Sequence, residues 1–194
     1  MSGEQHVRLA ADGREIITRR LRLRPWAHGD VDAAFAIFGD PQVSRWLTPA
    51  MERIVDRDVM LGILQGWIAE ADNEVRPTLG RWAIELADSQ AVIGAVSLLQ
   101  LPPGGKGVGI GWQVNPRLWG QGYGAEAGHA VAHRAFVSGI PELFAALRPG
   151  NRRAAAAARR VGMEWVGETT KYYDMPLQAD RLVKANLDYP RPAV

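Results

Sequence analysis

The sequence predicts an α+β domain, a mostly antiparallel sheet of about seven strands flanked by about four helices. Three extended apolar segments follow one another over residues 81–116, separated only by short turn-forming stretches. Helical periodicity takes over once this run ends, rather than alternating regularly with the strands as in a parallel-sheet protein. With 194 residues, 47% of them hydrophobic and 23% charged, the chain can bury one substantial core. A single domain over 1–194 is expected, with its core at about 17–187 and fraying ends.

The elements follow in order. "RRLRLRPW" (residues 19–26) alternates basic and apolar residues with Leu21 and Leu23 in phase, a half-buried strand ended by Pro25 and expected to be the first of the sheet. In "DVDAAFAIF" (residues 30–38), Val31, Ala34, Phe35 and Phe38 fall at helical spacing behind Asp30 as N-cap. A second helix is expected over 56–71 with Val59, Ile63 and Trp67 facing inward. "RWAIELA", "AVIGAVSLLQL" and "GVGIGWQVNP", separated by the turn formers "DSQ" and "PPGGK", read as an antiparallel meander.

The period then changes. Residues 124–137 are helical, 142–149 a short strand, and 152–161 an alanine-rich helix that Gly162 stops. "MEWVGETTKYY" and "LQADRLVKANL" are expected as two closing strands, and "PRPAV" as a fraying tail.

Composition narrows the function. The 23 Lys and Arg against 21 Asp and Glu leave a formal charge of +2, too little for a nucleic-acid binder by charge alone, but enough for a local phosphate site. The absence of cysteine removes disulfides, thiolate metal sites and a cysteine nucleophile. Residues 1–20 lack an apolar core of signal-peptide length, and no apolar run approaches the roughly 18 residues of a membrane span. A cytoplasmic protein with no membrane partner is expected.

Chemistry is most legible in "NPRLWGQGYGAEAGHAV" (residues 115–131), where Gly120, Gly122 and Gly124 alternate between a strand and a helix. That order gathers unpaired N–H groups and the positive end of a helix dipole, a place suited to phosphate. Glycines also serve tight turns and close helix-to-sheet packing, and the residues alone leave both roles open. A Walker loop is excluded, because "PPGGKGVG" lacks the spacing and the hydroxyl after the lysine. Gly120, Gly122 and Ala125 satisfy a dinucleotide pattern, but the next strand leads to Arg148 and Asn151 instead of an acidic ribose ligand.

Four stretches together carry a family resemblance: "TRRLRLRPW", "DPQVSRWL" (residues 40–47), "IGWQVNPRLWGQGYGAEA" and "RPGNRRAAAAARRVGMEWVGE". Over roughly residues 17–187 the chain resembles the GNAT superfamily of N-acetyltransferases, in particular the RimJ/RimL-like ribosomal-protein acetyltransferases. The resemblance implies the acyl-CoA N-acyltransferase fold, with a mixed sheet, and acetyl-CoA as co-substrate with no metal. Its pyrophosphate would lie on the turn of Trp119, Gly120, Gln121, Gly122, Tyr123, Gly124 and Ala125; Trp119 departs from the general pattern but suits this branch. The pantetheine arm would pair with main-chain groups of Trp112, Gln113 and Val114 like an added strand. Asn151 would approach the cofactor while also capping a helix, and Arg153 would meet a phosphate. Ala154 stands where the family usually has serine, and the helix lacks the family's customary tyrosine.

The implied reaction is direct attack of a neutral amine on the thioester, with no acyl-enzyme. Glu85 is the candidate general base, with a solvated strand carboxylate as the alternative reading. Tyr173, or its neighbour Tyr172, is the candidate acid for the leaving thiolate. Glu126 suits the helix dipole better than catalysis, and His129 with His133 lacks a third ligand and the HExxH glutamate. Trp46, Trp67, Trp82 and Trp112 fit either an acceptor wall or the core. The acceptor is expected to be a protein N-terminus, with an aminoglycoside or polyamine, or a non-catalytic CoA sensor, as alternatives. No nucleic-acid partner is expected, and a homodimer is left open.

Overall fold

The computed structural model describes residues 7–10, 13–47, 50–72, 78–102, 107–172 and 175–187. Among them the chain forms strands β1 (Arg8–Leu9), β2 (Ile16–Ile17), β3 (Leu21–Pro25), β4 (Gly80–Leu86), β5 (Val92–Gln100), β6 (Val108–Val114), β7 (Glu142–Leu147), β8 (Glu164–Thr169) and β9 (Leu177–Val183). The helices are α1 (Val31–Phe38), α2 (Pro41–Ser44), α3 (Arg57–Asp72), α4 (Tyr123–Val137), α5 (Arg152–Val161) and α6 (Lys184–Leu187).

The strands form one sheet of nine in the order β1-β2-β3-β4-β5-β6-β7-β9-β8. Neighbours are antiparallel except β6 and β7, which run parallel and pair only at Val108–Leu143 and Gly109–Phe144. The meander predicted between residues 81 and 116 is β4-β5-β6. One face of the sheet packs Leu21, Leu23, Ile84, Val96, Ile110 and Val114 beneath Ala127, Val131 and Ala135 of α4. The other packs Ala83 and Ala95 beneath Val31, Ala34 and Phe38 of α1 and Met60 and Leu64 of α3.

Several expectations need correction. The sheet has nine strands where about seven were expected, and the strand containing Leu21 and Leu23 is its third. The two preceding strands have two residues each, too short to leave a two-residue periodicity in the sequence. Asp30 does not cap α1: its carboxylate accepts from Ala27 N–H at 2.8 Å and from Arg24 at 2.7 Å, closing a 3-10 turn that leads into the helix. In helix α3 the predicted Ile63 and Trp67 pack against the core, but Met60 and Leu64 are the fully buried positions and Val59 is 53% exposed. In α1, Ile37 rather than Phe35 completes the buried stripe. The last predicted strand ends at Val183 and continues as helix α6. The tail after Leu187, residues 103–106 of the predicted turn and Tyr173 lie outside the described residues.

Candidate active site

Beyond Gly109 and Phe144, β6 and β7 diverge, and the gap opens a place for ligand between them. Asn115 N–H donates to Ile93 C=O at 2.8 Å, which sets the phase of the β5–β6 ladder. Antiparallel alternation then directs the main-chain groups of Gly111 and Gln113 at β5 and those of Trp112 and Val114 into the gap. The Trp119 indole donates to the Val114 carbonyl at 2.8 Å. Of the predicted segment, Trp112 and the Val114 N–H thus have the right direction for an added strand, whereas the Gln113 main chain does not.

Below the gap the chain turns into α4. Gly120 (φ 82°) and Gly122 (φ 81°) are both left-handed, a conformation that costs other residues roughly 1–2 kcal/mol. Gly122 is the N-cap of α4 and offers no side-chain cap, and the first bond of the helix joins Glu126 N–H to Gly122 C=O at 3.0 Å. The N–H groups of Tyr123, Gly124 and Ala125 precede that bond and lie at the positive end of the helix dipole. Gly124 serves differently: a Cβ there would stand 3.1 Å from Trp112 Cδ1 and 3.6 Å from Val114 Cγ2. Two of the three glycines therefore shape the turn, and the third lets α4 settle on the Trp112 ring.

The turn is fastened from the β2–β3 hairpin. Glu126, 9% exposed, accepts from Arg20 Nε at 2.6 Å, from Arg20 N–H at 3.1 Å and from Thr18 Oγ1 at 2.7 Å. The same guanidinium donates to Gln121 C=O at 3.0 Å and lies 4.6 Å from the centre of the Tyr123 ring. Glu126 is thus committed to structure.

The opposite wall comes from α5. Asn151 Oδ1 accepts from Ala154 N–H at 3.2 Å, the helix cap read from the sequence. Arg153 stacks on Trp119 at 4.1 Å from the ring centre. Together these elements enclose a cleft of ≈ 400 Å³ lined by Trp112, Gln113, Val114, Trp119, Gly120, Gly122, Tyr123, Gly124, Ala125, Asn151 and Arg153. Gln121 is the one predicted cofactor residue absent from this lining; it serves through its carbonyl bond to Arg20. Missed from the sequence were Arg148, and Gln42 and Leu47 from the α2 segment. The signal for that segment was present in "DPQVSRWL": Asp40 accepts from Gln42 N–H at 2.7 Å ahead of a proline at the first helical position.

A second cleft of ≈ 510 Å³ opens on the α1–α3 side of the gap. Trp46, Leu47, Ile110, Gly111, Gln113, Ala146 and Arg148 line both clefts, so the two meet between β6 and β7. Among the described residues, no aspartate, glutamate or histidine lines either one. Trp67 faces the second cleft, Trp46 both, Trp112 the first, and Trp82 belongs to the core.

Glu85 lies elsewhere. It is 5% exposed, lines neither cleft, and accepts from Arg24 Nε at 2.6 Å and more distantly from Arg22 at 3.4 Å. Arg22 also bonds Glu15 at 2.7 Å, so five charges form one chain, Glu15–Arg22–Glu85–Arg24–Asp30. The Arg24 guanidinium is held above its ordinary range by Asp30 and, after the opposing effect of burial, by Glu85. The solvated reading of Glu85 is corrected by this geometry: the carboxylate is buried and held by Arg24 and Arg22. Tyr172 lines neither cleft, and the same holds for His129 and His133. No group of three or more metal-ligating His, Cys, Asp or Glu side chains assembles among the described residues.

Residues 20–164 match the family model for the acetyltransferase (GNAT) domain, and the chain belongs to the GNAT family of N-acetyltransferases. It is similar to an uncharacterized N-acetyltransferase, YoaA, of Bacillus subtilis strain 168, at 25% identity over 156 residues covering 80% of this chain and 85% of that protein. A GNAT-family acetyltransferase from Bacillus anthracis shares the fold with a TM-score of 0.74 at 17% identity, over 88% of this chain and 99% of that one. RimJ from Mycobacterium smegmatis, in complex with CoA-disulfide, does so with a TM-score of 0.71 at 19% identity, over 88% and 85%. GNAT acetyltransferases use acetyl-CoA and act on an amine acceptor. No helix among the described residues is long and apolar enough to cross a membrane.

Proposed function

We propose that the protein binds acetyl-CoA in the α4–α5 cleft and transfers the acetyl group to the N-terminal amine of a protein, which enters from the opposite cleft. The observation that carries this reading is the meeting of the two clefts at the splayed β6–β7 gap, which lets donor and acceptor touch within one ternary complex. The pyrophosphate would rest on the N–H groups that open α4, the pantetheine arm beside Trp112 and Val114, and the outer phosphates near Arg153. These residues fit the group: the turn is bare, left-handed at Gly120 and Gly122, and uncapped by any side chain. Acetyl-CoA supplies the activated carbonyl, and the amine nitrogen forms its bond there as the carbon–sulfur bond breaks. Tyr173 remains the candidate proton donor for the departing thiolate.

The acceptor class follows from what lines the clefts. An α-amine with a pKa near 8 is about one-quarter neutral at pH 7.5, whereas a lysine amine is roughly 0.1% neutral. A site that no carboxylate or histidine lines among the described residues suits an acceptor that needs little help in losing its proton. Among the described residues it also shows no acidic counter-charge that would hold a polycationic aminoglycoside or polyamine.

The test is an assay of CoA release with a free-N-terminal peptide, its N-acetylated form, an aminoglycoside and spermine. The proposal expects release with the free peptide alone and intersecting initial-rate lines. Release only with the polycations would overturn the acceptor, and no release with any acceptor would leave the CoA-sensor reading.

A further inference from the structure

We infer that the acceptor is an N-terminal residue with a bulky apolar side chain, read by an aromatic wall of Trp26, Phe38 and Trp67; this rests on the acceptor reading above. The wall lies along the second cleft, where Trp67 joins the other two, with ring centres 5.7 Å from Trp26 and 5.2 Å from Phe38. Ile63 and Met51 extend it from α3 and the segment before it.

Three observations tie this surface to a substrate. The cleft is continuous with the donor cleft through Gly111, Gln113 and Ala146, so a group held against the wall belongs to the molecule whose amine reaches the thioester. Its charged lining among the described residues is Arg81 and Arg148. Arg81 is ion-paired with Glu70, and Arg148 donates to Arg45 C=O at 2.7 Å, so both cations are engaged by the protein. What the cleft presents to a ligand is therefore mainly apolar and aromatic surface.

The third observation is the Trp26 indole N–H, which is buried and has no hydrogen-bond partner in the protein. Buried polar groups are nearly always paired, and an unpaired one marks either strain or a missing partner. The N–H has almost no accessible surface in this structure, so a carbonyl oxygen of the acceptor peptide becomes that partner only as the wall yields to the ligand. Aromatic faces recognise an apolar side chain by area, and the peptide oxygen fixes its orientation.

The experiment uses the intact chain and one peptide series that differs only at residue 1, carrying Phe, Leu, Ser, Asp or Lys, with CoA release as readout. Acetyl-CoA binding is measured separately by thermal shift. The Phe and Leu peptides are expected to exceed Ser in kcat/KM by on the order of 10- to 100-fold. Trp67→Ala is expected to bring that ratio toward parity. Trp26→Phe, which keeps a ring and removes the N–H, is expected to raise KM for every peptide while preserving the order of preference. A preference for Ser, Asp or Lys would overturn the inference and leave N-terminal acetylation standing. If acetyl-CoA binds but no peptide is acetylated, the proposed acceptor fails and this inference with it. Because the wild-type series alone reveals the preference, the test survives a variant that does not fold.

Discussion

Arg20 and Glu126 face each other at 2.6 Å across the junction between the β2–β3 hairpin and the first turn of α4. Each ends on the proposed donor site: Glu126 sits in the turn that opens the helix, and Arg20 holds the Gln121 carbonyl of the glycine turn. Arg20→Ala would leave Glu126 with Thr18 and one main-chain N–H. We expect a stability loss of about 1–3 kcal/mol together with weaker acetyl-CoA binding. Urea unfolding and ligand titration check the two effects separately, and Arg20→Lys should recover stability better than it recovers binding, because it cannot reach both partners.

Gly124 and Gly122 should answer substitution differently. An alanine at Gly124 meets Trp112 Cδ1 at 3.1 Å, so Gly124→Ala is expected to cost about 1–3 kcal/mol of stability by overpacking. Its effect on acetyl-CoA should be secondary to the displaced Trp112 ring. Equal urea midpoints for variant and wild type would show that the ring gives way freely.

Glu85→Gln distinguishes a structural carboxylate from a general base. Removing a base that works in the transition state costs about 10²- to 10⁴-fold in rate. Removing one member of a buried ion network instead costs stability, about 3 kcal/mol or more for a well-buried pair. The geometry predicts the second outcome: a lowered unfolding midpoint with kcat little changed below the transition. A hundredfold fall in kcat in a fully folded variant would restore Glu85 to the mechanism.

Asp180 gives a pH dependence of known sign. Burial raises its pKa, an effect only partly opposed by the charge of Arg159. A carboxyl whose native pKa exceeds its unfolded value favours the fold while protonated, and that advantage is lost as pH rises through the window between the two values. Above that window Asp180→Asn should therefore be the more stable protein, and below about pH 4, where the unfolded carboxyl also takes up its proton, the gain should vanish. Thermal unfolding of both proteins at pH 3.5 and pH 7 measures it.

The turn and helix cap of the proposed donor side were legible in the sequence because their geometry is local. Gly120 and Gly122 must be glycine for their backbone angles, and Asn151 caps the helix that follows it, so chain order alone puts them at two helix starts. The burial of Glu85 was not legible, for the opposite reason. Its environment is made by Arg22 and Arg24 on the neighbouring strand and by Asp30 beyond it, and strand pairing is not written in the alternation of β4. The acceptor cleft depends on tertiary geometry in the same way, since Trp26 and Trp67 meet only when α3 packs across the sheet. Strands β1 and β2 escaped because two paired residues leave no period to detect.

The central claim is that the turn at Gly120 and Gly122 carries the acetyl-CoA pyrophosphate. Calorimetric titration of acetyl-CoA into the wild type and into Gly122→Val tests it most directly, with circular dichroism confirming that both are folded. The bare turn predicts saturable binding by the wild type and at least about tenfold weaker binding by the variant, the 1.4 kcal/mol expected from crowding and strain at a left-handed position. Equal affinities in two equally folded proteins would contradict it and place the cofactor elsewhere.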